Sequence, residues 1–529
     1  MKRVTTNQRT FIDFKLYLTC PPGEDSACQV ALLPTAEVGE TVSPVTVPVD
    51  ERPSTEDLEL LAAKKVTLKQ LIALGKKLAN CLLPARDVHR DIRGLFQQAY
   101  NTAGPGRGVR LRLIIADDEL KLWPWEYTYW DFLGGAESTS MSGFLVLDGR
   151  VSLVRHEPLP YPHPSRTKTA EDLTDIRVAF ACALPKGERK LELRQDLNMI
   201  TEAVRKVNED GLRFVLKPKI KDATPLDLEN KLPKGTHIFH FAGHASPQPA
   251  VSSGGLGSEA ALLLVADKNT KDEVKLPASL LAQYLQQAGV RLVVLGACNT
   301  AQRIKEEDAF LQKRSPWDGL ASALAAKEIP AIVGMQYEVF DDSARAFSEQ
   351  FYRALASGLS LDEAMSGGRR AMARVGEGDK SCTNLEWGVP VLYTRLPDGK
   401  LFPERMELAG ETAAQVRSDI MLPTEFHDHR QEIYDKFENM YSKFEERKKL
   451  LNQGQTHKAQ MVKQAVVQDL REVEHKDTTE EERNEIYREF EALSEQKRGD
   501  PAGFARTALK KIEELDAQRK EIYDEFEKE

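Results

Sequence analysis

No stretch of the 529-residue sequence approaches the roughly 18 consecutive apolar residues of a membrane-spanning helix. Its start, MKRVTTNQRT, lacks the long apolar segment of a secretory signal, so a cytoplasmic protein without membrane contact is expected. Paired cysteine spacing is missing too. The six cysteines, at positions 20, 28, 81, 182, 298 and 382, form no CxxC or similar motif, so the spacing suggests neither a disulfide framework nor a metal site. There is no basic excess: 73 Lys and Arg against 82 Asp and Glu leave a formal charge of −9, which argues against direct nucleic-acid binding. A GxxxxGK[ST] phosphate loop is absent, and GGLG at 254–257 is too short for a dinucleotide loop and reads as a turn. No cofactor is expected.

What is present is material for a globular protein. At 41% hydrophobic and 29% charged residues, the composition fits about two to four domains. Residues 1–170 mix strand-like runs (FIDFKLYLT, VRLRLIIA, GFLVLDGRVSLVR) with one helical stretch over LELLAAKKVTLKQLIALGKKLANCLL, an α+β texture. Four prolines in HEPLPYPHPSRTKTAEDLT, 156–174, mark a linker, because proline continues neither helices nor interior strands. A boundary is placed near 170.

From 171 to 400 the texture is α/β. The runs IRVAFACAL, LRFVLK, HIFHFAGH, AALLLVAD, RLVVLGAC, AIVGMQY and PVLYTRL alternate with helical segments over RKLELRQDLNMITEAVRKV, SLLAQYLQQAG, GLASALAAKE and a pair from about 340 to 375. Continuous apolar strands between helices predict a doubly wound, mainly parallel sheet covered on both faces.

Residues 401–529 become charged and helical. RQEIYDKFE (430–438), RNEIYREFE (483–491) and RKEIYDEFE (519–527) are near copies of one nonapeptide, unevenly spaced and therefore not a regular solenoid. Ile433, Phe437, Met440, Phe444 and Leu451 keep an a/d-like spacing with one gap at Arg447, as do Ile486, Phe490 and Leu493, and Thr479 with Glu482 has the spacing of a capping box. A charged helical bundle is expected, either simply packed or serving as a regulatory or partner-binding module.

In open α/β sheets ligands gather at the carboxyl ends of the strands. Two strands here end in reactive side chains: HIFHF runs into Ala242, Gly243 and His244, and RLVVLG runs into Ala297 and Cys298. If both strands are parallel members of one sheet, His244 and Cys298 emerge on one edge. A free thiol titrates near about 8.5, and a neighbouring imidazole that shares its proton makes it a competent nucleophile. Backbone amides at Ala245 and Cys298 are placed to receive an oxyanion. Read alone, Cys298 also fits a buried structural thiol. A shared metal is excluded, since extended His240 and His244 stand about 13 Å apart. His237 and His240 read as strand residues satisfied by hydrogen bonds, with His240 beneath the site.

HIFHFAGHA followed by GACNTA resembles the paired motifs of the CHAT domain, a caspase-like branch of the clan that also holds separases, metacaspases and gingipains. DGLASALAAKEIPAIVGMQYEV, FSEQFYRALASGLSLDEAMSGGRRAM and NLEWGVPVLY follow in the order of that domain, and LWPWEYTYW with GFLVLDGRVSLVR resembles the segment preceding many such cores. The resemblance spans roughly 110–395 and implies a caspase-like peptidase with Cys298 as nucleophile and His244 as general base and acid. The sequence departs from the caspase pattern at Ala245, where glycine is usual, and shows no third residue orienting His244.

Glu338, Asp341 and Asp342, just beyond AIVGMQY, suit a pocket for a basic side chain by charge, and equally a solvated loop. The charged QRIKEEDAFLQKRSP, 302–316, resembles an activation linker, with Lys313 and Arg314 as the expected self-cleavage region. The expected function is a switched cysteine endopeptidase acting on protein substrates in a bacterial defence or cell-death pathway, with an activating or regulatory protein partner bound by the C-terminal helices. The alternative is a catalytically silent scaffold of the same fold that assembles partners.

Overall fold

Short aliphatic and β-branched runs form fourteen strands among the described residues. The N-terminal part contributes β1 (Thr10–Thr19), β2 (Cys28–Leu33), β3 (Val45–Val47), β4 (Arg107–Ile115) and β5 (Val151–Arg155). The later part adds β6 (Asp175–Cys182), β7 (Arg213–Ile220), β8 (Ile238–Ala242), β9 (His244–Ser246), β10 (Ala261–Val265), β11 (Glu273–Pro277), β12 (Leu292–Gly296), β13 (Ala331–Met335) and β14 (Pro390–Thr394). The helices are α1 (Thr55–Ala62), α2 (Leu68–Leu82), α3 (Ile92–Ala103), α4 (Asp118–Lys121), α5 (Pro225–Lys231), α6 (Ala278–Ala288), α7 (Pro316–Ala326), α8 (Asp341–Ala356) and α9 (Leu361–Ala373). The computed structural model describes residues 9–20, 28–41, 43–48, 51–85, 91–104, 106–131, 141–159, 175–187, 197–198, 200–202, 205, 213–246, 260–296, 316–337, 339–375, 384–402, 443, 446–450, 453 and 458. No helix among them is long and apolar enough to cross a membrane.

Eleven strands form one sheet in the order β3-β2-β1-β4-β5-β14-β13-β12-β8-β6-β7. Pairing is antiparallel only at β1–β2, β2–β3 and β13–β14, and parallel elsewhere, so the fold is the expected mainly parallel α/β sheet. Strand side chains alternate between two cores. Ile238, Ala242, Leu292 and Val294 join a core with Phe351, Tyr352 and Leu355 of α8 and Leu361 and Met365 of α9. Phe239, Phe241, Val293 and Leu295 join another with Leu281 and Leu285 of α6 and Leu320 and Leu324 of α7. Burial on both faces explains why these strands read as unbroken apolar runs.

The sheet continues across residue 170. β5 neighbours β14 through the pair Arg155 and Tyr393, so strands from 1–170 and from 171–400 share it within a compact unit spanning Met1–Met421. A second unit spans Leu422–Glu529, and in it 446–450 are helical. The three nonapeptide copies lie outside the described residues, as do Ile433, Phe437, Met440, Phe444, Leu451, Thr479, Glu482, Ile486, Phe490 and Leu493.

Three local expectations change. AALLLVAD does not enter the main sheet: β10 is the middle strand of a separate antiparallel sheet, β11-β10-β9. The single helix expected over 58–83 is two helices. Thr67 and Gln70 form a capping box that starts α2 afresh, and Lys64 takes a left-handed φ of 54° just before it. In GFLVLDGRVSLVR only Val151–Arg155 is strand, because the Asp148 carboxylate accepts from the Arg150 N–H at 2.8 Å and fixes a turn.

Buried ion pairs join distant segments. Arg110 of β4 donates to Asp362 of α9 through Nε at 2.8 Å and Nη2 at 2.7 Å, and Ser152 Oγ donates to the same carboxylate at 2.6 Å. Burial works to raise the Asp362 carboxyl, yet Arg110 outweighs it and holds the group below its ordinary value. Arg155 of β5 donates to Glu126 at 2.9 Å, and Gln336 Nε2 donates to Glu126 at 3.1 Å.

Candidate active site

β8 and β12 are adjacent and parallel, with Val294 opposite His240 and Gly296 opposite Ala242. Strand neighbours of this kind lie about 4.8 Å apart. Two residues past Ala242 comes His244, and two residues past Gly296 comes Cys298. The two strands thus end side by side and in step at the carboxyl edge of the sheet, each with one residue between it and the side chain in question. Cys298 itself, with the rest of 297–315, lies outside the described residues.

Between Ala242 and His244 the chain passes through a gap that only glycine fits. A Cβ at Gly243 would meet the Ala183 carbonyl oxygen at 2.8 Å and the Phe241 ring at 2.6 Å. His244 then begins β9, opposite Leu263 of β10, and Ala245 is buried opposite Leu262. His244 is half-buried and held by a paired strand. The small second sheet, which sequence periodicity did not separate from the first, is what anchors this histidine.

His240 lies beneath this edge. Its Nδ1 hydrogen-bonds the Tyr352 hydroxyl at 2.7 Å, and its ring is flanked by Phe180 and Tyr352 at centroid distances of 5.8 Å and 6.1 Å. Its Nε2 stands 3.8 Å from where a Cβ on Gly296 would be, in ordinary contact with the end of β12. Burial pushes the imidazole down to about 3, so it is neutral near pH 7, and burial pushes the Tyr352 phenol up. His237 accepts from the Arg177 N–H through Nδ1 at 3.0 Å and packs edge-on against Phe402. Tyr352 carries no local sequence signal, because its partner is 112 residues away and its helix reads as ordinarily amphipathic.

Of the other predicted residues, Glu338, Lys313 and Arg314 lie outside the described residues, and Asp341 begins α8 with an undescribed side chain. Asp342 is exposed in the first turn of α8 and pairs with Arg345 at 2.7 Å. Among the described residues no group of three or more His, Cys, Asp or Glu is arranged to hold a metal ion.

A mainly parallel sheet covered on both faces, with a histidine motif and a cysteine motif leaving adjacent strand ends, is the architecture of a caspase-like peptidase-fold protein. The CHAT domain matches residues 73–431, more than half of the sequence, and the chain belongs to the CHAT family. No curated protein matches it. Among solved structures it is similar to separase in the separase–securin complex of Saccharomyces cerevisiae, at 10% identity and a TM-score of 0.37, covering 74% of this chain. A second structure of that complex gives 10% identity, a TM-score of 0.33 and 74% coverage. The chain spans only 30% of the separase chain in each.

Proposed function

We propose that the chain is a caspase-like cysteine endopeptidase in which Cys298 is the nucleophile and His244 the general base and acid. The observation that supports this reading is the pairing of Ala242 with Gly296, which ends the two strands level, each two positions before one of these residues in sequence. His244 takes the Cys298 proton, and the thiolate forms a C–S bond to the carbonyl carbon of the scissile peptide. Backbone N–H groups of Ala245 and Cys298 receive the oxyanion. Collapse of that intermediate breaks the C–N bond, with His244 protonating the leaving amine. Water, deprotonated by His244, then hydrolyses the thioester and returns the thiol.

Protein substrates suit this chemistry, and the acidic Glu338 and Asp341 favour a basic residue before the scissile bond, whereas Asp342 is already paired with Arg345. A cytosolic endopeptidase of this kind needs control. We assign that role to residues 401–529 acting through a protein partner, in a bacterial defence or cell-death setting. Labelling of the full-length chain by an electrophilic peptide probe, with and without Cys298→Ala, tests the nucleophile. Labelling lost in the variant supports the assignment, and equal labelling of both proteins overturns it.

A further inference from the structure

We propose that Cys20 and Cys28 are an oxidative modification site, a dithiol that closes to an intramolecular disulfide across the β1–β2 hairpin. The two sulfurs lie 2.9 Å apart. β1 and β2 pair antiparallel with Thr19 opposite Gln29, so the next positions outward, Cys20 and Cys28, face one another across the hairpin mouth. Directly opposed positions of an antiparallel pair hold their Cα atoms about 4.5–5.5 Å apart, within the range a disulfide bridges without backbone movement. Nothing in the sequence marks the pair, since the spacing of these cysteines matches no dithiol motif. Both residues precede the CHAT match, which begins at residue 73.

The two thiols are unequal, and the inequality sets their order of reaction. Cys20 is half-buried and Cys28 buried. Burial, and then the hydrogen bond and charge of the Cys20 sulfur, push the Cys28 thiol far above its ordinary value. Cys20 is therefore the entry thiol, and the oxidant is a hydroperoxide. Its thiolate attacks hydrogen peroxide, an S–O bond forms, the O–O bond breaks and hydroxide leaves. The Cys28 sulfur then displaces the sulfenic hydroxyl: the S–S bond forms, the S–O bond breaks, and the thiol proton departs with the hydroxyl as water. The dithiol gives up two electrons and the peroxide takes them.

The native full-length chain tests this by peptide mapping. Trypsin releases Leu16–Lys64, because Arg52 precedes proline, and this peptide contains Cys20 and Cys28 and no other cysteine. After peroxide treatment, denaturation and alkylation, the peptide is expected unalkylated and lighter by two hydrogens, reverting to the doubly alkylated form with dithiothreitol. Two alkylated cysteines after peroxide, or a sulfinic acid at Cys20 beside an alkylated Cys28, overturns the proposal. In glutathione buffers the native pair is expected to hold its disulfide at least tenfold more tightly than the urea-unfolded chain, about 30 mV toward reducing potentials. Coincident midpoints overturn it. Cys28→Ser is expected to leave Cys20 as a sulfenic acid captured by a 1,3-diketone.

Discussion

Ala242 and Gly296 are paired residues at the carboxyl ends of two neighbouring parallel strands, and each stands two positions before a reactive side chain. The proposed dyad rests on this pairing, since one residue separates each strand end from the side chain concerned. It relies on strand register, which burial on both faces holds firmly: a slip of one residue would exchange Phe239 and Phe241 with Ile238 and Ala242 between the two cores.

Gly243→Ala is expected to abolish peptidase activity. The added methyl meets a backbone carbonyl at 2.8 Å, so the chain between β8 and β9 must shift and carry His244 with it. Overpacking of this kind costs about 1–3 kcal/mol. Urea unfolding together with turnover of a peptide substrate measures both effects. Unchanged activity would show that His244 tolerates displacement.

Stability is expected to fall as pH drops from about 6.5 toward 4 and 3. Burial holds His156 at about 4 and His240 at about 3, against an ordinary imidazole value of 6.5. Each is neutral in the fold and takes a proton on unfolding, so in this window the unfolded chain binds more protons and gains relative stability with acid. Denaturant midpoints against pH check this, and His240→Gln should flatten the acid limb.

Tyr352→Phe removes the hydroxyl that satisfies His240 Nδ1. A buried polar atom left alone costs about 1–3 kcal/mol, and the imidazole loses the contact that fixes its ring beside Gly296. Thermal unfolding of the variant at neutral pH reads the loss.

Asp362→Ala strands Arg110, which is only 2% exposed, without its bidentate carboxylate. Breaking one side of a buried pair costs about 3–5 kcal/mol. Since Arg110 lies on β4 and Asp362 on α9, hydrogen exchange should report loosening in both elements.

Much of this architecture was legible in the sequence. The apolar runs ending at His244 and Cys298 became adjacent parallel strands, and the helical pair near 340–375 became α8 and α9, because full burial leaves little ambiguity in such patterns. Where a few polar residues decide, the pattern was silent. Thr67 and Gln70 divide one amphipathic stretch into two helices, and Asp148 turns a strand-like run. α3 was missed because its cap, Asp91, follows a stretch without clear periodicity. Contacts between residues far apart in sequence leave no local mark at all. His240 with Tyr352 and Arg110 with Asp362 are of this kind, separated by 112 and 252 residues.

The central claim is that His244 and Cys298 act as one unit, and the pH dependence of Cys298 alkylation tests it most directly. The tryptic peptide Leu292–Arg303 contains Cys298 as its sole cysteine, so its reaction is followed without interference. In the native chain the midpoint is predicted well below the ordinary thiol value of about 8.5, rising by about one unit or more in His244→Ala. Superimposable profiles for the two proteins would contradict the account.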